Sequence, residues 1–101
     1  MKRHYSDFVR YCLRFYISTL DIGTAPKFKT AAEKANWTSC HEVVPNLEPR
    51  ELEFVKELYS QGDTIPDKIY SLARDRKMPQ AYFWNLLDDL EYKIAQKRGM
   101  I

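Results

Sequence analysis

Gln80 and Asn85 are the side chains of this sequence best suited to reading another molecule. Each ends in an amide, a paired donor and acceptor that matches an adenine edge in the DNA major groove. Arg74, Arg76 and Lys77 precede them closely and are suited to holding backbone phosphates. If Phe83, Leu86 or Leu87, and Leu90 point inward on one helix, then Gln80, Ala81, Trp84, Asn85 and Asp88 fall on its outward face. The free backbone N–H groups at the start of that helix also favour phosphate. The candidate DNA-contacting set is therefore Arg74, Arg76, Lys77, Gln80, Ala81, Trp84 and Asn85. Gln80 and Asn85 compete with a plainer reading as solvated helix polars. Trp84 competes with a core assignment, because an outward indole should be covered by other helices or by a partner.

Other chemistry is less well supplied. Cys12, Cys40, His4 and His41 lack the spacing of a zinc knuckle, and the adjacent Cys40-His41 has no second pair. The two cysteines are expected as reduced, buried, small apolar side chains, and no metal or cofactor is expected. The histidines have no nucleophile at a recognisable spacing, and three glycines do not make a phosphate loop. Asp88 and Asp89 are neighbours on different helix faces, so they do not pair for acid–base work. The chain is not expected to be an enzyme.

The elements that must position Gln80 and Asn85 lie in residues 69–87, which read as helix, tight turn, helix. Leu72 and Ala73 sit on the first helix, Met78 in the turn, and Phe83 and Leu86 on the second. Ala73 matters because a larger side chain would hold the two axes apart. Around this unit the sequence predicts three further helices. The first is capped by Ser6 and runs to about Thr19, with Phe8, Val9, Cys12, Leu13, Phe15, Tyr16, Ile17 and Leu20 making an apolar surface wider than one stripe. Residues 21–26 break it, with Gly23 as its stop. The second opens on the Thr30–Glu33 capping box and runs to about Val44, with Ala32, Ala35, Trp37, Cys40, Val43 and Val44 inward and Pro45 ending it. The third starts at Pro49 and ends near Gly62, with Leu52, Val55, Leu58 and Tyr59 as its stripe. The fourth opens at Thr64-Ile-Pro-Asp67 and buries Ile65, Ile69, Leu72 and Ala73. The fifth runs from near Pro79 to Gly99. No stretch alternates long enough for a strand. The expectation is one compact all-α domain over residues 1–101, with a helical pair over 1–46 and the helix-turn-helix unit over 47–101.

At 101 residues, 45% of them apolar and 14% aromatic, the chain suits one well-filled core. The net charge of +2 identifies no partner, but its distribution is uneven. Lys2, Arg3, Arg10 and Arg14 against Asp7 make the N-terminus basic. Residues 42–63 carry six acids against Arg50 and Lys56. Residues 67–77 turn basic again through Lys68, Arg74, Arg76 and Lys77 against Asp67 and Asp75. The basic charge thus collects at the N-terminus and around the turn, where a polyanion would be met. Arg10 and Arg14 break the N-terminal apolar run, so neither a signal peptide nor a membrane span is expected, and a cytoplasmic location is.

The order of residues 47–98 resembles the fourth region of bacterial sigma factors. Leu47-Glu-Pro-Arg-Glu-Leu52 matches its start, Leu72-Ala73 its Ile-Ala pair, Lys77-Met78-Pro79 its turn, and Phe83 the Val of its recognition helix. The whole chain also resembles small proteins of bacteriophages and integrated elements in Firmicutes, in the style of ArpU-type regulators. The opening His4-Tyr-Ser-Asp-Phe-Val-Arg-Tyr-Cys-Leu-Arg-Phe-Tyr16 and the ending Ile94-Ala-Gln-Lys-Arg-Gly99 carry that likeness. The resemblance implies a DNA-binding transcription regulator of a phage or mobile element, with duplex DNA as partner. Lys77 stands where the sigma-like turn often has Gly, and a left-handed backbone there would cost about 1 kcal/mol relative to Gly. Asp88 and Asp89 would repel phosphates if they faced the duplex. A second reading is a protein-binding module that docks on RNA polymerase or on a host defence system such as CRISPR. The over-apolar first helix adds a third expectation, a homodimer through its outer side.

Overall fold

Residues 4–20, 26–60 and 62–101 are described in a computed structural model of the chain. Among them the backbone forms α1 (Ser6–Leu20), α2 (Ala31–Val43), α3 (Pro49–Leu58), α4 (Ile65–Arg76) and α5 (Gln80–Arg98), with a 3-10 turn over Val44–Asn46 and no strand. The all-α, five-helix expectation holds. The predicted break with its Gly23 stop lies outside the described residues, apart from Pro26.

Most helix starts follow from the capping chemistry. Thr30 Oγ1 accepts from the Glu33 N–H at 3.1 Å, and Glu33 reaches back to the Lys29 N–H, one residue before the cap, at 3.1 Å. Thr64 Oγ1 accepts from the Asp67 N–H at 3.3 Å. Before α3 the Glu48 N–H donates to Glu51 Oε1 at 3.3 Å, and Pro49 follows in the first turn. Pro45 cannot donate a backbone N–H, so α2 gives way to the tighter turn there.

Three local expectations need correction. Ser6 is itself the first residue of α1, and the Tyr5 carbonyl accepts the Val9 N–H at 3.0 Å, so the cap position lies one residue earlier. Gly62 does not end α3, which stops at Leu58; the glycine sits in the following link at φ 117°. Ala32 is exposed, and the α3 stripe is centred on Phe54, Val55 and Leu58, with Leu52 only half-buried.

One continuous core draws on all five helices. α1, α2 and α4 each pack against α5, and α3 packs against α4. α1 turns Val9, Cys12, Leu13, Tyr16 and Ile17 inward. α5 answers with Phe83, Leu86, Leu87, Leu90, Ile94 and Ala95. Full burial of each larger apolar side chain contributes about 1.5–3 kcal/mol. The residues expected to bind the α4–α5 unit together, Leu72, Ala73, Phe83 and Leu86, are all buried, with Met78 half-buried in the link between them.

A carboxylate lies within this apolar core. Glu91 is 1% exposed; its Oε2 accepts from Arg10 Nε at 2.9 Å and from the Tyr59 hydroxyl at 2.7 Å. The three side chains tie α1, α3 and α5 at one point. Glu91 Oε1 has no hydrogen-bond partner among the described residues. Burial first, and the Glu91 charge second, hold the Tyr59 hydroxyl well above its ordinary pKa. Burial works against the Arg10 charge, but the Glu91 hydrogen bond and charge outweigh it, so the Arg10 pKa is raised.

Candidate functional site

The front of α5 is open. Its N-cap is Pro79, whose side chain offers no hydrogen-bond acceptor, and no acidic residue lies in the first turn. Gln80, Ala81 and Asn85 are exposed, as are Arg74, Arg76 and Lys77 at the end of α4 and in the link. Four of the polar candidates, Arg74, Arg76, Lys77 and Gln80, thus fall at one end of the α4–α5 pair.

The link that brings them together is tight. α4 ends with the Met78 N–H donating to the Ala73 carbonyl at 3.0 Å and the Lys77 N–H to the Arg74 carbonyl at 3.4 Å. This double closure requires a left-handed residue at its hinge, and Lys77 takes it at φ 55°, ψ 46°. The same closure ends α5, where Met100 N–H reaches the Ala95 carbonyl at 2.9 Å and Gly99 holds the hinge at φ 80°. The chain therefore uses glycine at the second hinge and a charged lysine at the first.

Beneath the link lies an aromatic cluster. Phe54 of α3 meets Phe83 edge-on at 5.1 Å between ring centroids, and Tyr82 at 6.1 Å. The Arg76 guanidinium lies over the Phe54 ring at 5.7 Å, and Arg50, from the first turn of α3, lies over the same ring at 5.5 Å. Arg50 also donates to Met78 Sδ at 3.0 Å. Arg74 lies over the exposed Tyr70 at 5.9 Å and pairs with Asp75 at 3.2 Å. That pair is exposed on both sides and contributes little to stability.

Farther along α5 the field changes sign. Asn85 shares a shallow hollow with Asp88, Asp89 and Tyr92. Asp89 is held by Lys93 at 2.9 Å, one turn on. Trp84 is half-buried against the core, so its indole is not a free outward probe. Asn85 and Trp84 are thereby set apart from the basic front that holds Gln80 and Ala81.

The other reactive side chains are engaged in packing. Cys12 and Cys40 are buried thiols. Burial pushes the Cys12 thiol up to about 11 and the Cys40 thiol higher still. His41 stacks on Trp37 at 4.5 Å, and its Nδ1 shares a 2.9 Å hydrogen bond with the Tyr16 hydroxyl. Trp37 Nε1 donates to Thr19 Oγ1 at 2.9 Å, which locks α1 to α2. No helix among the described residues is long and apolar enough to cross a membrane.

Two residues escaped the sequence reading. The sequence reading sets Arg50 against the acids of residues 42–63, although it precedes Phe54 by one helical turn and so shares that ring's side of α3. Glu91 lies in phase with Leu87 and Ile94, which marks it as a charge on an apolar stripe. No family model, curated protein or solved structure matches the chain.

Proposed function

We propose that this chain is a DNA-binding transcription regulator of a phage or mobile element, reading duplex DNA with the front of α5. The observation that carries this reading is the open start of α5, with Gln80 and Ala81 exposed beside the exposed Arg74, Arg76 and Lys77. The arginines and Lys77 fix the protein on the phosphates, and Gln80 reads a base edge. Asn85 contributes less than Gln80, because Asp88 and Asp89 stand beside it. The α4–α5 pair serves as the helix-turn-helix of a sigma-region-four-like unit.

The test is a titration of duplex DNA at several salt concentrations. The expected affinity falls linearly on a log–log scale, by about 0.9 per phosphate neutralised. Gln80→Ala is expected to relax sequence preference by about 1–3 kcal/mol at one base pair. Absence of binding to any duplex at low salt overturns the reading.

A protein-docking role is the second reading, favoured by a different surface. Phe8 and Tyr11 on α1 are 40% and 66% exposed. Large aromatics left outward on one helix suit a partner, whether a second copy of the chain or a host complex such as RNA polymerase or a CRISPR-type defence assembly.

A further inference from the structure

We infer that Arg50 and Arg76 form a clamp for a single backbone phosphate of the bound nucleic acid, contributed jointly by the start of α3 and the end of α4. The inference rests on the DNA reading above and adds to it a contact from outside the α4–α5 pair. Two guanidinium groups from different helices converge on one ring, at 5.5 and 5.7 Å from the Phe54 centroid. Phe54 is 2% exposed and meets Phe83 edge-on at 5.1 Å, so the ring that both arginines approach is held in the core. Among the described residues neither arginine pairs with a carboxylate. Arg50 gives one N–H to the Met78 sulfur, a weak acceptor, which orients the group and leaves its other donors for a stronger one. Both arginines are exposed.

Two guanidinium groups held over one ring, neither paired with a carboxylate among the described residues, offer donors that a phosphate can take. Guanidinium forks match phosphate oxygens in pairs, which an ammonium cannot do. The clamp sits next to Met78 and Lys77, directly ahead of Gln80, so a phosphate held there fixes how far α5 advances into the groove. Its contribution is independent of base sequence.

The experiment measures binding of a short mixed-sequence duplex by fluorescence anisotropy across a salt series, for the full chain and for Arg50→Gln, Arg76→Gln and the double variant. Each single variant is expected to bind about three- to tenfold more weakly, equally for every duplex tested, and to keep most of the log–log salt slope, because the remaining arginine still neutralises the phosphate. The double variant is expected to flatten the slope by about 0.9, because only then is the shared phosphate left without a cation. Arg50→Lys is expected to keep the slope and lose part of the affinity. Arg14→Gln makes the same charge change beside Thr64, at the opposite end of α4, and is expected to keep both slope and affinity. Thermal melting of each variant verifies that it is folded, and Arg76→Gln carries the same test if Arg50→Gln is not. Single variants that each flatten the slope by about 0.9, with a double variant that flattens it by about 1.8, place the arginines on separate phosphates and overturn the clamp. So does Arg50→Gln behaving like Arg14→Gln, or a loss that depends on base sequence; in these cases the wild-type chain still binds DNA. A wild-type chain that binds no duplex overturns the DNA reading itself.

Discussion

Glu91 shows how much of this fold depends on one side chain that does not look structural. It accepts from Arg10 at 2.9 Å and from Tyr59 at 2.7 Å while almost wholly buried. Replacement by Ala would leave the Tyr59 hydroxyl without its acceptor and Arg10, whose side chain is only 21% exposed, without its counter-charge. The expected loss is about 3–5 kcal/mol, measured by urea unfolding. Glu91→Gln keeps an acceptor for both donors and is expected to lose less. Equal losses for the two variants would mean that hydrogen bonding is not what Glu91 supplies. The residue was legible in part: its helical phase with Leu87 and Ile94 announces an inward position, but nothing local says what an inward carboxylate would meet. Its partners lie 81 and 32 residues away in sequence, and only the packing of α1 and α3 against α5 brings them together. The same limit hid the setting of Arg50, because nothing local to α3 says that Arg76 of α4 comes over the same Phe54 ring.

At the scale of elements, the hinge between α4 and α5 carries a backbone strain that glycine would relieve. Lys77 holds a left-handed backbone where Gly99 holds the equivalent hinge of α5. A side chain there costs on the order of 1 kcal/mol relative to glycine, partly offset by the greater freedom of an unfolded glycine. Lys77→Gly is therefore expected to stabilise the chain by about 0.5–1 kcal/mol, raising the thermal midpoint by about 2–8 °C, while weakening any binding of duplex DNA. A lower midpoint would mean that the lysine side chain, through packing, outweighs its backbone strain. Strain retained beside a candidate site is the pattern expected where a residue serves binding rather than stability. Helix starts were the most legible elements, because Thr30, Thr64, Pro49 and Pro79 act on their own neighbours. Helix ends and faces were less so. The sequence places Leu52 in the α3 stripe with Val55, Leu58 and Tyr59, and choosing Phe54 in its stead requires knowing that Phe83 and Tyr82 stand opposite.

For the whole molecule, the all-α architecture follows from five apolar helical stripes, and the burial that results makes a claim about pH. Cys12, Cys40, Tyr16 and Tyr59 all contribute to one core, and burial raises the pKa of each. The thiol of Cys12 moves from an ordinary 9.0 to about 11. Between those values the unfolded chain releases a proton that the folded chain retains. Folding then becomes less favourable as pH rises, by up to about 1.4 kcal/mol per pH unit for each group so held. Below the ordinary thiol value the unfolded chain is protonated as well, so the contribution is fully present there. Cys40 adds to the decline from the same starting point, and Tyr59 joins above its ordinary 10.0. The urea midpoint is therefore expected to be insensitive to these groups at neutral pH and to drop steeply above about pH 9. Replacing both cysteines by Ala moves the start of that drop to the tyrosine range, whatever the replacement does to stability at neutral pH. An alkaline drop that begins at the same pH in the cysteine-free variant would show that the thiols are not the groups the core protects, and that water reaches α1 and α2 where the packing excludes it.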